Sequence, residues 1–246
     1  MRTTPVPADK PKPRPSSTVV LVRPAAGAPE VFMVKRHKRA SFGATFAFPG
    51  GVLEDSDARV RDNCIGVSAE MANRLLDMKR NALDYYSAAI RELFEESGVL
   101  LADHKLTTAE LVVARAALNS GSLDWERFAI DQALLLRCDR LNYFSFWITP
   151  VGSPKRYSTR FFLAEMPKTQ AASHDGGELT ESCWMAAAEI LKARKKKAMK
   201  VPYPTRKTLK RLTQFDATLP MLDWARACGE KGVICDQPAF SPDELA

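Results

Sequence analysis

The sequence predicts an α/β fold, and three observations carry that expectation. β-prone runs recur at residues 18–23, 31–36, 141–150 and 158–164, most of them flanked by Pro, Gly or Ser. Between and after them lie stretches with apolar residues at helical spacing, the longest at 67–79, 107–119, 122–136 and 187–197. A chain of 246 residues with 46% apolar content can bury a sizeable core, as one large domain or one domain carrying helical insertions.

Taken in order, residues 1–16 are rich in Pro and Lys, lack an apolar signal core, and are expected to be a disordered tail ahead of a domain spanning 17–230. Residues 18–23 and 31–36 read as strands joined by the Pro- and Gly-containing turn 24–29. The second strand delivers Lys35, Arg36, Lys38 and Arg39 towards an apolar run that ends in Phe48-Pro49-Gly50-Gly51. A proline followed by two glycines gives a rigid entry and then a backbone that another group can approach closely. Residues 42–48 are expected to pair as a short strand.

The segment 55–82 carries a helix at 67–79, with Ser68 as its cap, and is expected to pack as a flap without chemistry of its own. Residues 104–137 form a second helical stretch. Thr107 and Glu110 have capping-box spacing and open a helix to 119, Gly121 breaks it, and 122–136 reads as another with Trp125, Phe128, Ala129, Ala133 and Leu136 on one face. This pair would line a substrate pocket or make a homodimer contact. Residues 141–150 and 158–164 form a hairpin in which Arg160 interrupts an apolar run, and a buried charge is costly unless paired. Helices follow at 187–197, at 205–215 with Thr205 as cap, and at 220–227; residues 231–246 are expected to be a poorly ordered tail.

The chemistry concentrates in Arg91-Glu92-Leu93-Phe94-Glu95-Glu96-Ser97-Gly98. At about 100° per residue, a helix gathers Glu92, Glu95 and Glu96 on one face and turns Tyr86, Ile90, Leu93, Phe94 and Ser97 to the opposite, core side. Gly98 suits the left-handed position that ends a helix. Carboxylates at such spacing repel one another, and a hard divalent cation held by their oxygens would remove that cost. Arg91 lies beside Glu95 and is placed to orient it.

Composition excludes several other classes. Five scattered cysteines without Cys-x-x-Cys spacing and only three histidines argue against a zinc site and a disulfide framework. No apolar run approaches membrane-spanning length, so a cytoplasmic location is the default expectation. The net charge of +7 is gathered before the glycine loop and again at Arg194–Lys200 and Arg206–Arg211. Such clusters attract a phosphorylated small molecule, RNA or an acidic surface. The second cluster lacks interleaved aromatics, so nucleic acid is not the expected partner.

Phe48-Pro49-Gly50-Gly51 together with Arg91, Glu92, Glu95, Glu96, Gly98 and Val99 resembles the Nudix box of the Nudix hydrolases. The resemblance implies an α/β/α sandwich with a mixed sheet and, here, extra helical insertions. The box is stretched. Gly51 and Arg91 stand 40 positions apart where the common pattern has fourteen, so 26 further residues intervene, within an insertion of about 55–82. Counted back from the arginine, the box glutamate expected eight positions earlier is Leu83, which reads as the loss of one carboxylate. The stretched box with residues 147–150, 160–162 and 204–205 resembles the branch of peroxisomal acyl-CoA diphosphatases and their bacterial relatives.

What the resemblance implies is Mg²⁺- or Mn²⁺-dependent pyrophosphohydrolysis, most readily of coenzyme A or acyl-CoA. The catalytic set would be Arg91, Glu92, Glu95, Glu96 and Glu178, with the four glutamates holding metal. Glu178 is favoured over Glu181 as the further loop carboxylate, because it lies six residues before Trp184. Arg36, Arg39, Gly50, Gly51 and Arg160 are the substrate-binding candidates, with Arg160 equally able to pair with a glutamate and Arg36 and Arg39 equally able to be solvated strand ends. Rival expectations are a hydrolase of ADP-sugars or NADH, and a non-catalytic nucleotide-sensing or RNA-binding module.

Overall fold

The computed structural model describes residues 11–36, 45–175 and 179–236. Their main element is a mixed eight-stranded sheet. Its path runs through β10 (Leu179–Ala186), β2 (Glu30–Arg36), β1 (Arg14–Arg23), β9 (Tyr157–Glu165), β8 (Asn142–Ile148) and β11 (Cys235–Asp236). The β1–β9 and β8–β11 pairs are parallel, and the others along the path are antiparallel.

Alternation along β1 makes the layers. Val19 and Leu21 point into one core and Val20 and Val22 into the other, all fully buried. The first core is covered by α3 (Leu83–Ser97), whose Tyr86, Ile90, Leu93 and Phe94 are inaccessible to solvent. The second is covered by α6 (Ala187–Lys195), α7 (Tyr203–Leu212) and α8 (Thr218–Lys231), through Ile190, Leu209, Leu212 and Met221. The result is the α/β/α sandwich.

The sheet is split where the site will form. β1 and β2 pair only at Val22–Val31 and Arg23–Glu30. Further along they part, and β3 (Phe46–Ala47) pairs with β2 while β4 (Gly50–Val52) pairs with β1 at Ser16, Ser17 and Thr18. The chain between 46 and 52 is thus a wedge driven into an open sheet.

The segment 55–82 is not a flap. It folds as α1 (Asp55–Arg59), a 3₁₀ turn, β5 (Cys64–Ile65) and α2 (Ala69–Leu75), and it buries Val60, Ala72 and Leu76 in the first core beside α3. Ser68 caps α2 as expected, accepting a hydrogen bond from the Met71 amide, but that helix ends four residues short of the predicted boundary. Thr107 and Glu110 form the predicted capping box of α4 (Thr108–Asn119). The next helix, α5 (Trp125–Asp131), stops early because Ala133 takes a left-handed φ of 46°, and the chain then enters β7 (Leu135–Arg137). β7 joins β5 and β6 (Ala102–Asp103) in a small three-stranded sheet.

Strands reach into both segments expected to be tails. β1 begins at Arg14, since β9 runs parallel beside it from Tyr157 and satisfies its backbone. Cys235 and Asp236 add a parallel edge strand to β8 at Phe146 and Trp147. Thr205 is buried in α7 and does not cap it; the cap position is Pro202. No helix among the described residues is long and apolar enough to cross a membrane.

Candidate active site

The wedge and α3 meet at Gly50 and Gly51. Gly50 has φ of +153°, and a Cβ there would lie 2.3 Å from the Ser17 carbonyl oxygen and 2.7 Å from Thr18 Cα. Its amide donates to Glu96 Oε2 at 2.9 Å. A Cβ on Gly51 would lie 2.2 Å from Glu92 Oε1. Two of the three predicted carboxylates therefore lie against the backbone of the glycine loop, and a side chain at Gly51 would displace Glu92 while one at Gly50 would meet the β1 backbone. Gly98 ends α3 in the left-handed conformation, φ 76°, its amide donating to Phe94 O at 2.8 Å.

Arg91 is the organising cation, and it is almost fully buried. Its Nε and Nη2 form a fork onto Asp57, at 3.0 Å to Oδ1 and 3.0 Å to Oδ2. Nη2 also donates to Val52 O at 2.9 Å, and Nη1 reaches Glu92 Oε1 at 3.0 Å and Glu95 Oε2 at 3.3 Å. Burial pulls the guanidinium down, but the charge of Glu92, the hydrogen bond and charge of Asp57 and the charge of Glu95 outweigh it and hold it above its ordinary value. Burial pushes the Asp57 carboxyl up, and the Arg91 contacts oppose that rise.

Asp57 is the residue that sequence reasoning missed. It is wholly buried and sits in α1, in a segment expected to hold no chemistry. The signal was present: counted forward from Gly51, Asp57 is the sixth position, where the box carboxylate belongs. The 26 extra residues follow it, so the carboxylate is retained and only the count back from Arg91 is broken. Asp57 also accepts from the Glu54 amide at 2.8 Å and from Ser87 Oγ at 3.3 Å, and Ser87 in turn accepts from Trp125 Nε1 at 2.9 Å.

Burial pushes Glu95 up to about 7, with Arg91 opposing and the charges of Glu92, Glu54 and Asp57 reinforcing the rise. Arg91 alone therefore does not restore its ordinary acidity. Among the described residues, no three acidic, His or Cys side chains converge tightly enough to form a closed metal cage. Glu92 and Glu95 are turned towards Arg91 instead. The donor chemistry still fits a hard divalent cation: carboxylate oxygens from one helix face, one of them carrying a desolvation penalty that a cation would relieve.

The far end of α3 is held by α4. Arg115 Nε and Asn119 Nδ2 donate to Glu95 O at 2.9 and 3.3 Å, and Arg115 Nη2 donates to Ser173 O at 2.9 Å. The loop that leads to residue 175 is thereby tied to the carboxylate helix. Glu181 lies beyond it on β10 and pairs with Lys35 Nζ at 2.8 Å, half exposed. Glu178, Arg39 and the Arg36 side chain lie outside the described residues.

A cavity of about 220 Å³ opens on the other side of the glycines. It is lined by Gly50, Gly51, Ser16, Thr18, Thr159, Phe161 and Trp147 among others, and none of the described lining side chains is charged. This corrects the expectation for Arg160. In the β1–β9 register Ser16, Thr18, Thr159 and Phe161 face the cavity, while Ser17 and its partner Arg160 face α3. The guanidinium lies between Tyr85 and Phe146, 4.3 and 4.4 Å from the ring centroids, and donates to Leu76 O at 3.2 Å. Among the described residues it forms no ion pair with a glutamate, and stacking on aromatic faces on the α3 side of the sheet takes that place.

A split mixed sheet between helical layers, with a glycine loop against a Glu-rich helix, defines a Nudix-type hydrolase scaffold. The family described as the NUDT19 Nudix domain matches residues 73–212, and the chain belongs to this branch of the Nudix hydrolases. It is similar to putative nudix hydrolase 7 of Caenorhabditis elegans, with 27% identity over 216 residues covering 85% of this chain and 63% of that protein. It is also similar to acyl-coenzyme A diphosphatase NUDT19 of Xenopus laevis, with 27% identity over 228 residues covering 76% of this chain and 60% of that one. The chain thus spans less than two thirds of the length of either relative. A crystal structure of a Nudix hydrolase from Alicyclobacillus acidocaldarius superposes with a TM-score of 0.69 at 26% identity, covering 86% of this chain and 96% of that one.

Two predictions follow from the geometry. Asp57→Ala leaves Arg91 buried without its fork and is expected to cost about 3–5 kcal/mol in urea unfolding of the metal-free protein; a loss under 1 kcal/mol would show that the pair is replaceable. The two glycines should separate. Gly50→Ala meets backbone and should lower the melting temperature sharply, whereas Gly51→Ala meets only the movable Glu92 carboxylate. The second variant should melt near wild type while losing about 10- to 100-fold in Mn²⁺ affinity.

Proposed function

We propose that this protein is a divalent-metal-dependent pyrophosphohydrolase that cleaves a nucleoside diphosphate linked to another moiety, with coenzyme A or acyl-CoA as the leading substrate. The observation that carries this reading is the thin glycine wall: Glu92 and Glu96 touch one side of Gly50 and Gly51, and a cavity whose described lining is uncharged lies on the other. A substrate seated in the cavity would present its phosphates at the carboxylates. The name of the Xenopus relative, acyl-coenzyme A diphosphatase, favours the same substrate class.

The residues divide the work. Glu92, Glu95 and Glu96, with Glu178 as the proposed loop carboxylate, would hold Mg²⁺ or Mn²⁺. The bound ions would neutralise phosphate oxygens and acidify a water. Arg91 orients Glu92 and Glu95 through its Nη1 contacts and is itself fixed by Asp57. Backbone at Gly50 and Gly51 lets the pyrophosphate approach, and Arg36 and Arg39 remain candidates for further phosphate contacts. In the reaction, water adds to one phosphorus and the P–O–P bridge breaks. With coenzyme A, the products are 4′-phosphopantetheine and adenosine 3′,5′-bisphosphate.

The deciding experiment incubates the protein with coenzyme A, an acyl-CoA, ADP-ribose, NADH and ADP-glucose, with Mg²⁺, Mn²⁺ or EDTA. Selective release of adenosine 3′,5′-bisphosphate, abolished by EDTA, is the expected result; cleavage of ADP-ribose or NADH alone would discard the substrate and keep the reaction. Glu95→Gln and Glu96→Gln should each lower turnover by about 10²–10³-fold, the range seen when one electrostatic contact to a developing charge is lost. Near-wild-type turnover of both variants, in an assay titrated with metal, would overturn the ligand assignment.

A further inference from the structure

The described lining of the cavity beside the glycine loop carries no charged side chain, yet cations gather at its far rim. Pro202, Pro204 and Thr205, in the first turn of α7, line the cavity. Around that turn stand Arg194, Lys196, Lys197, Lys200, Arg206 and Lys207, and among the described residues none of the six forms an ion pair. Lys200 lies at the rim itself, because its carbonyl accepts from the Phe46 amide, between the lining residues Thr45 and Ala47.

Two of these cations are aimed. The Arg206 guanidinium carbon and Lys207 Nζ lie 4.9 and 5.3 Å from the centroid of the Tyr203 ring. Tyr203 stands edge-on to Trp147, 5.9 Å between centroids, and Trp147 lines the cavity. Helical side chains lean towards the N-terminus, so both cations reach back over the turn that forms the rim. The Tyr203 ring supports both cations, and an anion would add the opposite charge that this end of the helix lacks. Cations at a helix N-terminus oppose the macrodipole, and the first turn of α7 contains no acidic residue. Burial and the neighbouring charge of Arg194 also hold Arg206 below its ordinary value.

We infer that Arg206 and Lys207, over the first turn of α7, form an anion subsite for a phosphate that the substrate carries away from its cleaved pyrophosphate. The inference rests on the pyrophosphohydrolase reading for the orientation of the substrate. Pyrophosphate lies at the glycine end, an uncharged part fills the cavity, and a second phosphate emerges at α7. A nucleotide with a phosphate on its ribose has this sequence of groups. The described lining of the cavity offers no cation to read such a phosphate, whereas the rim offers two.

The test compares wild type, Arg206→Gln/Lys207→Gln and Lys207→Gln on coenzyme A and dephospho-coenzyme A, which differ only in that phosphate. The double variant should raise KM for coenzyme A about tenfold, the size of one charge-assisted hydrogen bond. Its kcat should hold, KM for dephospho-coenzyme A should change less than twofold, and Lys207→Gln should fall between. Equal effects on both substrates, or none on either, would overturn the subsite. Direct calorimetric titration of the wild-type protein with adenosine 3′,5′-bisphosphate and with AMP needs no turnover. Tighter binding of the bisphosphate, lost in the double variant, supports the subsite even if coenzyme A is not cleaved. Equal binding of the two nucleotides, or loss of oligonucleotide binding alone in the variant, would overturn it and assign the patch to nucleic acid.

Discussion

The buried pair of Asp57 and Arg91 is the interaction on which the rest of the site depends. Taking two charges out of water costs several kcal/mol per ion, and only good geometry with further hydrogen bonds offsets it. Here the fork is completed by the Glu54 amide and Ser87 on the carboxylate side, and by Val52 O, Glu92 and Glu95 on the guanidinium side. The pair therefore does more than neutralise charge. It pins α1 to α3, sets the glycine strand against the carboxylate helix through Val52, and through Ser87 and Trp125 reaches the helical embellishment at α5.

This pair also explains how the chain tolerates 26 additional residues between the glycine loop and the carboxylate helix. Asp57 precedes the addition and Arg91 follows it, so both ends of the extra segment are fixed and its length is hidden behind the pair. Lengthening a loop between fixed ends costs little, about 0.6 kcal/mol per doubling. The added residues more than offset that by burying Val60, Ala72 and Leu76 against α3. An insertion that begins one residue earlier would separate Asp57 from Gly51 and break the arrangement.

Much of this was legible in the sequence, because the signals were local. The period of the Glu-rich segment gave the helix, its core face and its end at Gly98, and the Pro-Gly-Gly run gave the close backbone approach. Other features depend on distant contacts. The strand from Arg14 exists because β9 lies beside it, and α5 ends at a left-handed Ala133 that no propensity marks. Arg160 looked like a phosphate ligand because a lone arginine in an apolar strand needs a partner. Its face, however, is set by register against Ser17, and aromatic rings supply the partner. Asp57 was hidden by the direction of counting.

The charge balance of the site decides what chemistry it can support. Asp57, Glu92 and Glu95 crowd a single guanidinium, and Glu96 lies next to them on the Gly50 amide. Arg91 offsets one of these charges, so the group remains strongly negative when ionised, and burial responds by pushing Glu95 up to about 7. A pyrophosphate cannot approach such a surface unaided. On the proposed reading a divalent cation would supply the missing positive charge, with Glu92 and Glu95 as carboxylates that would hold it. The fork onto Asp57 anchors Nε and Nη2, so Arg91 would remain in place and hold the helix at the glycine wall if Glu92 and Glu95 served a cation instead of Nη1.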